Sequence, residues 1–267
     1  MNETTLAILG AAGRMGRMLV AEAAKTPGLK IAAATEASGN ALIGQDAGMV
    51  AGIGPVGLPI TATDVADADV FIDFTFHAAV PGNLAAAARS GAKGYVLATT
   101  GLLPEEKAAV ADAAVSLPIV HAANMSLGVN LILDLVRRAA ALLDPSYDIE
   151  IVEMHHRHKK DAPSGTALAL AQAAADGRGA RLDDVAIYGR HGIGGERPAG
   201  EIAIHALRGG EVVGDHTVVF AGEHERIEIA HKAASRASFA KGALLAAKWL
   251  PGRAPGIYSM RDVLGLD

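Results

Sequence analysis

The chain contains no cysteine, which excludes disulfides, thiolate nucleophiles and thiolate-ligated metal sites together. It has no uninterrupted apolar run of about eighteen residues, the length a membrane-spanning helix needs. Its first residues, MNETTLAILG, lack the basic and cleavable apolar segments of a secretory signal. These absences point to the cytoplasm and away from a membrane. Positive charge is not in excess either: 24 Lys and Arg face 29 Asp and Glu, a formal net charge of −5, which argues against nucleic acid as a partner. No internal repeat or low-complexity linker divides the chain. What remains is 267 residues, 51% of them hydrophobic, enough for two modest domains or one large one with a true core.

The first half alternates between strand and helix signals. Leu6-Ala7-Ile8-Leu9 leads directly into Gly10-Ala11-Ala12-Gly13-Arg14-Met15-Gly16, and helix formers follow to Lys25. Strand, glycine turn and helix in that order suit a dinucleotide: one glycine for the tight turn, one for close approach to a pyrophosphate, one for packing helix on strand. The spacing GxxGxxG is a variant of the usual GxGxxG. A second strand, Lys30 to Thr35, ends at Glu36, about twenty residues past the turn, where a carboxylate can accept hydrogen bonds from an adenosine ribose. Further strands are expected at Val70–Phe74, Tyr95–Leu97 and Pro118–Val120, with helices at about 78–90 and 104–115. This predicts an α/β fold with a Rossmann-like, doubly wound parallel sheet. The segments after its strands, Thr75-Phe76-His77, Ala98-Thr99-Thr100-Gly101 and Ala122-Ala123-Asn124-Met125, are candidate cofactor walls. The glycine-rich stretch from Ser38 to Pro59 reads as a mobile surface excursion.

The second half changes character. An alanine-rich helix, Leu127 to Leu143, is stopped by Asp144-Pro145, and a strand from Tyr147 to Met154 follows. Strands are also expected at 186–188, 201–207, 211–220 and 226–230, with Gly209-Gly210 as a hairpin turn. Successive strands without intervening helices imply a second α+β domain with a mixed or antiparallel sheet. The domains are thus 1–126, binding dinucleotide, and 127–236, binding substrate. A last helix runs from Ser235 to Trp249, and 251–267 reads as a tail.

The cations concentrate in EMHHRHKKDAPSGTA, Glu153 to Ala167. If extended, the run puts His155, Arg157 and Lys159 on one face and His156, His158 and Lys160 on the other. Ser164 can cap a helix opened by Gly165 and Thr166, and such a helix start binds anions. Proton donors beside an anion grip describe a site for a small carboxylated substrate that must receive a proton. Glu153 either orients a histidine or pairs with a nearby cation.

GAAGRMG at 10–16, FIDFT at 71–75, Thr99-Thr100-Gly101 and, above all, HHRHKKDAPSGT at 155–166 resemble the 4-hydroxy-tetrahydrodipicolinate (dihydrodipicolinate) reductase family of lysine and diaminopimelate biosynthesis. The likeness extends through Gly195-Glu196-Arg197, Gly214–Thr217, His231-Lys232-Ala233 and Met260–Leu264. It implies reduction of a small cyclic dicarboxylate with NADH or NADPH, loss of water, a homotetramer, and a C-terminal segment, 237–267, that returns to the dinucleotide-binding domain. Carried over by position, His155 and Lys159 are proton donors, while His156, Gly165, Thr166 and Arg236 hold substrate carboxylates beside the Ser164 cap. Gly10 to Met15 (Gly10, Ala11, Ala12, Gly13, Arg14, Met15), Glu36, Ala98, Thr99, Thr100 and Ala122, Ala123, Asn124, Met125 line the cofactor. No metal is implied.

Two departures concern the cofactor. Some members carry arginine where this chain has Ala37 and Phe76, so Glu36 faces a 2′-phosphate without those cations and NADH should serve at least as well as NADPH. Ala98 also stands where glycine is common. Three other readings stay open: another two-domain dehydrogenase, a non-catalytic dinucleotide sensor, and a metal site at His156-x-His158 with Asp161.

Overall fold

The computed structural model describes residues 3–62 and 67–266. They form two compact units, one made of Met1–Leu127 with Arg236–Asp267 and the other of Gly128–Ser235.

In the first unit β1 (Thr4–Leu9), β2 (Leu29–Thr35), β3 (Ile60–Thr61), β4 (Val70–Asp73), β5 (Gly94–Leu97) and β6 (Pro118–His121) form a parallel sheet in the order β3-β2-β1-β4-β5-β6. Strand order reverses between β1 and β4, which opens a crevice at their carboxyl ends. Because side chains alternate across a sheet, each strand feeds two cores. Leu6, Ile8, Val70, Ile72, Val96 and Val120 pack on one side with α1 (Arg14–Ala23). Ala7, Leu9, Phe71, Tyr95, Leu97 and Ile119 pack on the other with α3 (Val80–Arg89) and α4 (Pro104–Ala113). The excursion after β2 is more organised than its composition suggests. It carries a short helix, α2 (Ala47–Ala51), and the Asp46 carboxylate accepts backbone N–H groups from Gly48, Met49, Val56, Gly57 and Leu58.

The second unit is a single mixed sheet with helices on one face. α5 (Leu127–Leu142) leads into β7 (Asp148–His155), and α6 (Gly165–Arg178) and α7 (Leu182–Val185) precede β8 (Ala186–Tyr188), β9 (Ile202–Arg208), β10 (Asp215–Ala221) and β11 (Arg226–Lys232). The order is β11-β10-β7-β9-β8. Ile149, Ile151, Ile202, Ile204, Val218 and Phe220 bury against Ile132 and Val136 of α5 and Leu170 and Ala171 of α6, each worth about 1.5–3 kcal/mol where fully buried. The register sets Val152, His205 and Thr217 side by side on the opposite face. There Val152 and Leu207 remain 37% and 44% exposed.

The hairpin expected at Gly209-Gly210 does not form. β9 runs parallel to β7 and β10 antiparallel to it, so β7 lies between them. The connecting loop instead crosses the end of β7, where Gly210 and Val212 carbonyls accept the N–H groups of Arg157 and His156. These bonds also end the extended run at His155, and Lys159 N–H closes a turn on the His156 carbonyl. The two-faced alternation expected for residues 155–160 therefore stops at its first histidine.

After Arg236 the chain completes the first unit. α8 (Ala237–Trp249) and its C-cap Leu250 place Ala240, Ala243, Leu244, Ala247 and Leu250 in the core beside Leu6 and Ile8. The segment read as a tail holds a seventh parallel strand, β12 (Gly256–Tyr258), paired with β6, and a final helix, α9 (Met260–Leu264).

Candidate active site

In the first unit the turn after β1 is built for close approach. A Cβ on Gly16 would lie 2.1 Å from the Gly10 carbonyl oxygen, so only glycine lets α1 sit on the turn. Gly13 occupies the N-cap of α1 without a capping side chain, which leaves first-turn amides for an anion. The Glu36 carboxylate accepts N–H groups from Ala12 at 3.1 Å and Ala37 at 3.0 Å, fixing it beside the turn. Gly10, Gly13, Glu36, Ala37, Thr75 and Phe76 line a cleft of about 560 Å³. Ala11 and Ala12 are buried, so they can offer a ligand their backbone alone. These features fit a dinucleotide. Arg89, at the end of α3, also lines the cleft; no motif singled it out.

A second cavity of about 290 Å³ is lined by Arg14, Met15, Ala98, Ala123, Asn124 and Arg236, together with Met125. Two cations from distant parts of the chain thus meet in one pocket. Arg236, expected in the substrate-binding domain, belongs to the first unit, where it is the N-cap residue of α8. Gly242 of α8 supports the wall, since a Cβ there would lie 1.7 Å from the Met125 carbonyl oxygen. Beneath the crevice is fully buried Asp73, which accepts hydrogen bonds from the Thr75 N–H, the Thr75, Thr99 and Tyr95 hydroxyls and the Asn83 amide. It ties the loops after β4 and β5 together. Burial, followed by the Asp73 charge, pushes the Tyr95 hydroxyl well above its ordinary value, so it stays a donor. Thr99 is buried in this network while Thr100 and Ala123 face solvent.

In the second unit the end of β7 gathers the remaining candidates. Fully buried Glu153 receives His155 Nδ1–H at 2.6 Å, the Ser164 N–H at 3.0 Å and both terminal nitrogens of Arg208 at 2.8 Å each. Glu153 thus does both things left open for it, orienting a histidine and pairing with a cation. Burial alone would raise its carboxyl, but Arg208, His155 and the Ser164 amide hold it below the usual range. Gly214 lies against the other side of the imidazole; a Cβ there would fall 2.9 Å from His155 Nε2. Ser164 caps α6 by accepting the Ala167 N–H at 3.1 Å, and its hydroxyl is 3.0 Å from His216 Nε2. His216, whose ring meets that of His155 edge-on with centroids 5.2 Å apart, is pushed down to about 4 by burial and then by the neighbouring His155. It is neutral near pH 7, and nothing in the sequence pattern distinguished it from an ordinary core histidine.

Lys159 lies in the turn after β7 with its ammonium 2.9 Å from Asp161. His156 keeps a buried Nδ1 without a hydrogen-bond partner, and Gly165 and Thr166 open α6 behind the Ser164 cap. His158 points to Glu211 at 3.6 Å and Asp161 to Lys159, so the trio considered for a metal does not converge. Among the described residues no group of three or more His, Cys, Asp or Glu side chains is placed to hold a metal.

Comparison with known proteins assigns both units. The family profile "Dihydrodipicolinate reductase, N-terminus" matches residues 4–125, and "Dihydrodipicolinate reductase, C-terminus" matches 128–264. The chain belongs to the dihydrodipicolinate reductase family. It is 51% identical to the 4-hydroxy-tetrahydrodipicolinate reductase of Anaeromyxobacter dehalogenans over 98% of each chain, and 52% identical to that of Parvibaculum lavamentivorans, also over 98% of each. In fold it is similar to the dipicolinate-bound dihydrodipicolinate reductase of Paenisporosarcina sp. TG-14, with a TM-score of 0.70 and 22% identity over 96% of this chain and 97% of that one. An amine dehydrogenase from Mycobacterium smegmatis shares the fold at a TM-score of 0.57 and 10% identity, covering 97% of this chain and 95% of that one. The fold by itself therefore does not fix the substrate.

Proposed function

We propose that the protein reduces 4-hydroxy-tetrahydrodipicolinate to tetrahydrodipicolinate with loss of water, in the diaminopimelate route to lysine. The cofactor is a reduced nicotinamide dinucleotide, which supplies a hydride when bound. Gly10 to Met15, Glu36, Ala98 to Thr100 and Ala122 to Met125 hold it. Substrate carboxylates are gripped by His156, by Gly165 and Thr166 behind the Ser164 cap, and by Arg236. His155, with Lys159 as a second donor, delivers a proton to the ring position next to the one that takes the hydride. Fixed cations stabilise the negative charge that develops between these events. The observation that carries this reading is the end of β7, where an oriented imidazole and the capped start of α6 share the Glu153 carboxylate.

The protein is a homotetramer in this reading, supported by the uncovered face of the second sheet with exposed Val152 and Leu207. It acts in the cytoplasm; no helix among the described residues is long and apolar enough to cross a membrane.

The test mixes the protein with the freshly made condensation product of pyruvate and aspartate semialdehyde and follows loss of nicotinamide absorbance with NADH and NADPH in parallel. Turnover is expected, with competition by pyridine-2,6-dicarboxylate. His155→Ala and Lys159→Ala should each lower kcat by roughly 100-fold or more while leaving the dinucleotide Kd nearly unchanged. Oxidation of cofactor without dependence on the substrate, or full activity in both variants, would remove the proposal.

A further inference from the structure

We infer that Glu153 is a positioning residue that fixes which nitrogen of His155 gives up the proton, and that the same carboxylate locks this donor to the anion-gripping end of α6. The inference rests on the reading of His155 as proton donor and names what makes it one. An imidazole has two nitrogens, and a donor that can present either is only partly competent. Here Nδ1–H is committed to Glu153 Oε2 at 2.6 Å. The proton available for transfer is therefore the one on Nε2, a nitrogen that any side chain at Gly214 would crowd. After transfer His155 is neutral with its remaining proton on Nδ1, still bonded to Glu153. Once the substrate hydroxyl and a ring proton have left as water, the ring gains one proton from Nε2 and the hydride with its two electrons, and a proton from solvent returns to Nε2 for the next turnover.

Arg208 makes this arrangement possible. A bare buried carboxylate would be costly and would hold an adjacent imidazolium too firmly. Arg208 instead bonds both carboxylate oxygens, one guanidinium nitrogen on each. With His155 on Oε2 and the Ser164 N–H on Oε1, each oxygen accepts two bonds, which leaves the group fully satisfied. The second nitrogen of Arg208 also donates to the Asp161 carbonyl at 2.6 Å, tying down the turn that carries Lys159. The remaining titratable groups around His155 are His216 on β10, with His231 on β11 beyond it, and the Lys159–Asp161 pair in the following turn. His216 is neutral near pH 7, so the charges that set the behaviour of His155 are Glu153 and Arg208, with Lys159 partly offset by Asp161.

Nitrogen-15 NMR of the histidine rings, with His155→Asn to assign the signal, reads the tautomer in the unaltered protein. Neutral His155 is expected to carry its proton on Nδ1, facing Glu153. Glu153→Gln keeps the shape but removes the anion beside Arg208. It should lower kcat by about 10- to 100-fold and leave the NADH Kd unchanged. Glu153→Asp, which keeps the charge, should regain part of the activity. A neutral His155 protonated on Nε2 in the unaltered protein overturns the inference whether or not the variants fold. So does a Glu153→Gln protein that binds NADH normally and keeps the kcat of the parent. If the unaltered protein fails to turn over the cyclic dicarboxylate at all, the proposed function falls, while the tautomer result stands apart from it.

Discussion

Phe76 stands 68% exposed at the rim of the cleft that Glu36 also lines, its ring 4.1 Å from that of His77. An aromatic face there can stack on a base but cannot neutralise a phosphate, and Ala37 next to Glu36 offers no charge. The Glu36 carboxylate repels a 2′-phosphate, and the cation in that lining is Arg89 of α3 rather than a sequence neighbour of Glu36. Ala37→Arg should therefore raise kcat/KM for NADPH relative to NADH by about tenfold or more, and equal ratios before and after the change would refute the assignment. His216 makes a second measurable claim. Its folded value of about 4 lies below the ordinary 6.5, so the unfolded chain binds the extra proton first. The stabilisation is complete above pH 6.5, is lost as pH falls toward 4, and amounts to on the order of 3 kcal/mol. Urea unfolding at pH 7 and pH 4.5 should show a smaller acid-induced loss for His216→Gln than for the parent protein.

The start of α6 shows what a local signal can and cannot say. Ser164 before Gly165-Thr166 is readable as a cap from three letters, because capping depends on neighbours in the chain. Ser164→Ala should cost about 1 kcal/mol through the lost cap. It should lower Tm by a few degrees and raise the inhibition constant of pyridine-2,6-dicarboxylate; an unchanged Tm and inhibition constant would mean that the cap supports neither helix nor ligand. The glycine turn and the strands of the first sheet are legible for the same reason. The Asp73 network, the placing of Arg208 on Glu153 and the seat of His216 beside Ser164 are not, since each joins residues from separate elements of the fold. The false hairpin at Gly209-Gly210 has the same origin. Two glycines between two strands specify a tight turn by pattern, and only the tertiary choice of both strands to pair with β7 shows that the chain must cross over instead.

The sheet of the second unit has one helical layer and one face carrying Val152, Met154, Leu207 and Val219. The same face carries His205, Thr217 and Glu150, so it is mixed, and in the proposed tetramer another copy covers its exposed Val152 and Leu207. Val152→Glu is expected to convert the proposed tetramer into smaller species in light scattering, with the far-ultraviolet spectrum retained; an unchanged mass would place the subunit contact elsewhere. The two-unit layout was visible in the sequence as a change from alternating to successive strands. The length of the returning segment, and the seating of Arg236 with Arg14, depended on packing that no periodicity encodes.

The split of the first unit around the second carries a cost during synthesis. Leu6, Ile8 and Val20 are made early, yet the helix that covers them beyond α1 begins only at Ala237. The inserted unit, Gly128–Ser235, is continuous and holds its own core, so it can close as soon as it leaves the ribosome. Until that helix is made, the nucleotide-binding half keeps an apolar strip bare to solvent, which exposes it to aggregation during synthesis.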